Sequence, residues 1–233
     1  MTSRRRRFVS ALVALVACAV AAAPSSTGAL DDLPLVIVPP SEVGAGRMVL
    51  LMSGDGGWQE LPQTVAAALA SQGFGVVGFN SLRYFWRPRT PDGTVRDVLR
   101  IVEHYGQQWR AQDLWLVGYS FGADVLPVVL NRLPADVRVR VRGLTLIAPS
   151  SYATFEIKLR AWFGGSTPGL PTVPELARLR GLPIVCLYGE ADADAVCPSL
   201  PAGLATVRRL PGGHHFGGDY AAVARAVLPP DSL

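Results

Sequence analysis

"LWLVGYSFGADVLP" (residues 114–127) carries large apolar side chains up to Gly118, shows one hydroxyl at Ser120, and resumes with helix-like spacing. A buried strand gains nothing from two glycines bracketing a serine, so Ser120 is either a nucleophile or the first polar residue of a turn. The stretch fits G-x-S-x-G placed between a strand and a helix, a sharp turn that leaves no room for Cβ atoms at Gly118 and Gly122 and lifts the serine Oγ above the sheet. A helix starting at Phe121 aims its first N–H groups at the same point, where an oxyanion would form. Glycine and serine are common, and it is the strand before and the helix after that give the motif meaning.

Outward from this turn, apolar β-branched runs alternate with segments of helical period. Strands are predicted at "LVIV" (35–38), "RMVLLMSG" (47–54), "GVVGFN" (75–80), "DLWLVGY" (113–119), "RGLTLIAP" (142–149), "LPIVCLYG" (182–189) and "ATVRRLPG" (205–212). Helices are predicted over 61–73, 94–109, Phe121 to about Leu133, and Asp219 to about Leu228. Parallel strands need crossovers, which helices supply, so the alternation implies a mostly parallel sheet with helices on both faces. No internal repeat is visible. One stretch, Pro149 to Gly181, breaks the alternation; rich in Pro, Gly and aromatics, it is read as a short cap after the sixth main strand. Phe155, Trp162 and Phe163 in it suggest a lid, and an ordinary surface excursion is the alternative.

A nucleophilic serine in such a fold is followed along the chain by an acid and then a histidine. His104 lies in a helix ahead of the serine and reads as a packing or surface residue. His214 and His215 follow the last strand in "LPGGHHFGG", where the histidine is expected. The spacing "PGGHxF" favours His214, and counting back from Phe216 favours His215. The acid falls in "GEADADAVCP": Gly189 with G-x-x-D selects Asp192, and Pro198 with D-x-x-x-P selects Asp194. We assign Asp194, with Asp192 the alternative and Glu190 solvated. The loop "MSGDGGW" at the carboxyl end of a central strand supplies a second oxyanion amide, from Asp55 beside that of Phe121. The Asp55 side chain either faces the pocket, attracting a cationic substrate group, or caps a helix. No G-K-[ST] follows, so this is not a phosphate loop. The whole reads as an α/β-hydrolase fold whose chemistry calls for no metal or cofactor.

Charge and cysteine set the compartment. Of 22 basic residues four are Arg4 to Arg7, and without them the balance is 18 against 18, so the folded body has no basic excess to attract nucleic acid. The N-terminus "MTSRRRRFVSALVALVACAVAAAPSS" has a positive segment, a short apolar segment and small residues, as export signals do. We read 1–23 as that signal, 24–34 as a linker and 35–233 as the domain. "RRRRFVS" loosely resembles a twin-arginine signal, and "LVAC" offers Cys18 as an alternative lipidation site. Apart from Cys18, only Cys186 and Cys197 remain; in an oxidising compartment they are expected to form a disulfide, contributing about 2–3 kcal/mol.

Seven ordered motifs resemble the AcvB/VirJ family of exported bacterial virulence-associated proteins: "SGDGGW" (53–58), "NSLRYFW" with "RTP" (80–91), "GYSFGADVLP", "NRLP" (131–134), "TFEIKLRAWFGG", the "CLYG…CP" pair and "GGHHFGGDY". The resemblance implies periplasmic cleavage of the aminoacyl ester of lysyl-phosphatidylglycerol, with the membrane surface as partner. It fits Asp55 or Asp124 attracting the amine, and Arg83, Arg87 or Arg89 holding the phosphodiester, with a solvated loop face the alternative for these arginines. It also implies a difference, since hydrolase members are often longer at the N-terminus. General carboxylesterase or thioesterase action, and a non-catalytic secretion accessory, are the alternatives.

Overall fold

The computed structural model describes residues 30–41, 46–157 and 169–227. In chain order the elements are β1 (Leu35–Val38), β2 (Arg47–Met52), α1 (Glu60–Ser71), β3 (Gly75–Phe79), α2 (Ser81–Phe85), α3 (Pro91–Gln108), β4 (Asp113–Tyr119), α4 (Phe121–Leu130) and α5 (Ala135–Arg138). Then follow β5 (Val141–Ile147), β6 (Tyr152–Ala153), β7 (Leu170–Pro171), α6 (Thr172–Ala177), β8 (Ile184–Gly189), β9 (Thr206–Leu210) and α7 (Tyr220–Ala226).

Seven strands form one sheet in the order β1-β3-β2-β4-β5-β8-β9. Every neighbouring pair is parallel except β1 with β3, and β1 stands at one edge of the sheet. The apolar runs are continuous because both faces are covered. Along β2, Met48, Leu50 and Met52 enter one core cluster with residues of α3 and α4, while Val49 and Leu51 enter the other with α1 and α7. This is the period-two alternation of a strand, with both sides apolar. The Thr90 hydroxyl caps α3, accepting from the Gly93 N–H, and Pro91 follows at its first position, so this long helix has a defined start. No helix among the described residues is long and apolar enough to cross a membrane.

The excursion after Pro149 follows the fifth strand of the sheet in chain order, which corrects its expected place after a sixth, and β6 and β7 within it form a small antiparallel pair. Trp162 and Phe163 lie outside the described residues. Phe155 is half-buried with its ring 5.9 Å from that of Phe85, so it packs on the core and is not an exposed lid aromatic. All parallel strands end at one rim, where β2, β4, β8 and β9 deliver the loops described next.

Candidate active site

β4 passes into α4 through Ser120 alone. Its φ of 50° and ψ of −118° lie where L-residues rarely sit, a strain of roughly 1–3 kcal/mol. The surrounding backbone holds it: the Ser120 N–H donates to Ile147 O at 2.8 Å, and Ser120 O accepts from the Ala123 N–H at 2.8 Å. A Cβ on Gly118 would lie 2.6 Å from backbone atoms of Ala123 and Gly122, and one on Gly122 would lie 2.5 Å from Met52 O. Both glycines are therefore required by the close approach of α4 to β4 and β2.

Ser120 Oγ is 2.9 Å from His214 Nε2, and His214 Nδ1 is 2.8 Å from Asp192 Oδ2. Of the two candidate imidazoles, His214 is the one against the serine. The acid against the ring is Asp192, which corrects the assignment to Asp194. The reason is backbone geometry. The Asp192 N–H donates to Gly189 O at 2.9 Å, which curls Asp192 back over the end of β8, its side chain 5% exposed. Asp194 lies two residues farther out and is exposed; its backbone N–H donates to Asp192 Oδ1 at 3.3 Å. Glu190 is exposed, as expected.

The acid and histidine loops are tied together by the Ala191 N–H donating to Gly212 O at 2.9 Å, and Phe216, 3% exposed, anchors the histidine loop in the core. The disulfide Cys186–Cys197 is formed, with a Cα separation of 5.7 Å, and it fastens the far end of the acid loop to β8. A hydroxyl, an imidazole and a carboxylate in this order can raise the nucleophilicity of the hydroxyl, since the carboxylate fixes the tautomer and stabilises the imidazolium.

The chain of side chains opens on a cleft of about 620 Å³ lined by Gly54 to Gly57, Gln59 to Pro62, Tyr119, Ser120, His214, His215 and Tyr220. Asp55 lies within the tight turn closed by the Gly57 N–H donating to Gly54 O at 3.0 Å. Phe121 opens α4, and the first N–H groups of a helix have no intrahelical acceptor. Ser53 is fully buried; its Oγ accepts from the Ser81 N–H at 3.0 Å and ties this loop to the start of α2. The charged lining residues are Asp55 and Glu60; no Lys or Arg is among the described lining residues. No group of His, Cys, Asp and Glu among the described residues is arranged to hold a metal ion.

The remaining candidates stand elsewhere. Asp124 is corrected from a substrate-binding residue to an internal one. It is 8% exposed, and its carboxylate accepts from the Ser150 N–H at 2.6 Å and the Ser150 hydroxyl at 2.7 Å, tying α4 to the loop after β5. Burial pushes its pKa up to about 7 against the opposing pull of the Ser150 hydrogen bonds, and the charge of Asp55 adds to the rise. Arg83, in α2, and Arg87, two residues past its end, are exposed and do not line the cleft, which corrects their reading as substrate-binding residues. The Arg89 guanidinium lies 4.2 Å over the Tyr84 ring. His104 lies in α3 with its ring against Tyr105.

Sequence reasoning missed Tyr119 and Glu60 as cleft residues. Tyr119 is 8% exposed, its hydroxyl 2.8 Å from His215 Nδ1, and burial raises its pKa. Its place directly before the serine was the available signal, since a neighbour of an elbow residue must flank the same opening.

The sheet order and the turn at Ser120 define an α/β-hydrolase fold. Solved structures agree on the fold. Est1E from Butyrivibrio proteoclasticus superposes with a TM-score of 0.59 at 13% identity, covering 84% of this chain and 92% of that one. The esterase domain of a Rhodothermus marinus protein gives 0.56 at 15% identity, with 81% and 87% covered. An alpha-beta serine hydrolase homologue from Coxiella burnetii gives 0.53 at 18% identity, with 82% and 88% covered. No curated protein matches the chain. The family model described as "Bacterial virulence protein (VirJ)" matches residues 46–230, and the chain belongs to the VirJ family.

Proposed function

We propose that the chain is an exported serine ester hydrolase that cleaves the aminoacyl ester of aminoacylated phosphatidylglycerol, such as lysyl-phosphatidylglycerol. Ser120 Oγ attacks the ester carbonyl while His214 Nε2 takes its proton and passes it to the departing glycerol oxygen. Asp192 accepts from the His214 Nδ1–H and offsets the imidazolium charge, and the amides of Phe121 and Asp55 hold the oxyanion. Water then releases the acyl group by the same route. The protons pass among Ser120, His214, the departing glycerol oxygen and the attacking water, and this chemistry calls for no metal or cofactor.

The observation that carries the reading is the unbroken hydrogen-bonded chain from Ser120 through His214 to Asp192, at 2.9 and 2.8 Å. The substrate class is supported by the acidic lining of the cleft, Asp55 and Glu60, which suits an ester bearing a free amine. A lipid substrate makes the membrane surface the partner. Export to the periplasm is supported by the Cys186–Cys197 disulfide and by membership of a virulence family.

A fluorophosphonate probe should label the wild type and fail to label Ser120→Ala. Folded wild type that resists the probe would favour a non-catalytic secretion accessory. Hydrolysis of lysyl-phosphatidylglycerol should exceed that of a neutral short-chain ester; the reverse preference would favour a general carboxylesterase or thioesterase.

A further inference from the structure

Two adjacent residues of the nucleophile turn meet two adjacent residues of the histidine loop. Ser120 Oγ pairs with His214 Nε2 at 2.9 Å, and Tyr119 Oη pairs with His215 Nδ1 at 2.8 Å. The chemistry treats these two cross-links differently. Once Ser120 is acylated its oxygen has no proton to share, and the first link opens for the whole life of the acyl-enzyme. The second involves no reacting atom and can stay closed.

We propose that Tyr119 and His215 are positioning residues that hold His214 in place during the second half of the reaction, when Ser120 no longer does. In that half a water oxygen forms a bond to the acyl carbonyl carbon as His214 Nε2 takes the water proton. The bond from Ser120 Oγ to that carbon then breaks, and the proton returns to Oγ. At the start of this step the contact to Asp192 at Nδ1 and the loop that carries His214 set the imidazole position, without the contact to Ser120.

The surroundings suit the role. The Tyr119 ring is fixed in the cleft wall: a Cβ on Gly54 would lie 3.3 Å from both Tyr119 Cδ1 and Ser120 Cβ. The ring centroids of Tyr119 and His214 are 5.8 Å apart, those of His214 and His215 5.4 Å, so the three rings form one packed group. The phenol stays protonated because burial disfavours its anion, so it can donate to His215 Nδ1. His215 is exposed, so this hydrogen bond is its restraint against solvent.

The inference rests on Ser120 being the nucleophile, and the experiment separates the two. Tyr119→Phe, His215→Ala and the double variant are mixed with p-nitrophenyl acetate in a stopped-flow instrument, and acylation and deacylation are resolved from the burst and the steady state. Deacylation should slow on the order of tenfold or more while acylation changes little, because small misplacements of a catalytic group cost that much. The double variant should be no slower than either single one, and His215→Asn, whose Oδ1 can accept from the phenol, should recover most of the loss. A variant in which acyl-enzyme formation becomes limiting and both steps fall equally would overturn the proposal, as would unchanged deacylation in Tyr119→Phe. Fluorophosphonate labelling of Ser120 in the same samples reports on the nucleophile itself. Labelling intact with deacylation unchanged sinks only the positioning role, and labelling absent from the wild type sinks the hydrolase reading.

Discussion

Replacing Asp192 by Asn tests the corrected acid against its neighbour. The carboxylate is 5% exposed and lies 2.8 Å from Nδ1 of a ring that is 36% exposed. As the imidazolium forms, opposite unit charges about 4 Å apart at an effective dielectric of about 20 attract by roughly 4 kcal/mol. Partial exposure of the ring reduces this to about 2–3 kcal/mol. That is a factor of about 30–200 in rate. An amide can also stabilise the wrong tautomer, which takes the expected loss to between about 10²- and 10⁴-fold in kcat/KM. Asp194→Asn keeps the backbone N–H that reaches Asp192 Oδ1, so its activity should change less than about threefold. The assay is hydrolysis of p-nitrophenyl butyrate at about pH 8, where an ordinary imidazole is neutral, with thermal melts to confirm folding. Equal losses in the two variants, or Asp192→Asn retaining more than about a tenth of wild-type activity, would refute the reasoning.

Other outcomes follow from the same contacts. Gly122→Ala should destabilise by about 1–3 kcal/mol in urea unfolding, because the new Cβ would lie 2.5 Å from Met52 O and 2.7 Å from Ser53 O and α4 must move off β2. Cys186→Ser with Cys197→Ser should lower stability by about 3 kcal/mol, the loop-entropy value for a separation of 11 residues, and should cost activity because the freed loop carries Asp192. For Asp124 the folded pKa of about 7 lies above the ordinary value of 3.8, so the native state binds more protons than the unfolded chain between these values. Its contribution to stability is therefore greatest below pH 3.8 and declines as pH rises through about 7. Urea unfolding at about pH 5 and pH 8 should show a smaller drop for Asp124→Asn than for the wild type, and an equal drop would place the carboxyl at an ordinary pKa.

Much of the architecture was legible because it rests on local regularities. The apolar runs at 47–54, 75–80 and 113–119 contain β2, β3 and β4, and the stripe over 94–109 marks α3, which begins three residues earlier where Thr90 and Pro91 provide the cap and first turn. The serine elbow was legible because two glycines excluded by sterics surround one serine. Its loop partner was half legible: "MSGDGGW" pointed to the cleft, but the burial of Ser53 and its bond to the Ser81 N–H come from α2, 28 residues away.

Residue order alone carries the order and type of the elements, the position of the serine turn, and the short list of acids and histidines that could serve it. Those follow from side-chain volume, periodicity and the conformational limits around glycine, which act between near neighbours. The choice of Asp192 over Asp194, the inward place of Asp124 and the meeting of Tyr119 with His215 come from the folded chain. Each depends on where a backbone carbonyl such as Gly189 O or a distant loop such as that of Ser150 comes to rest, and adjacent acids of equal chemistry differ only by that placement.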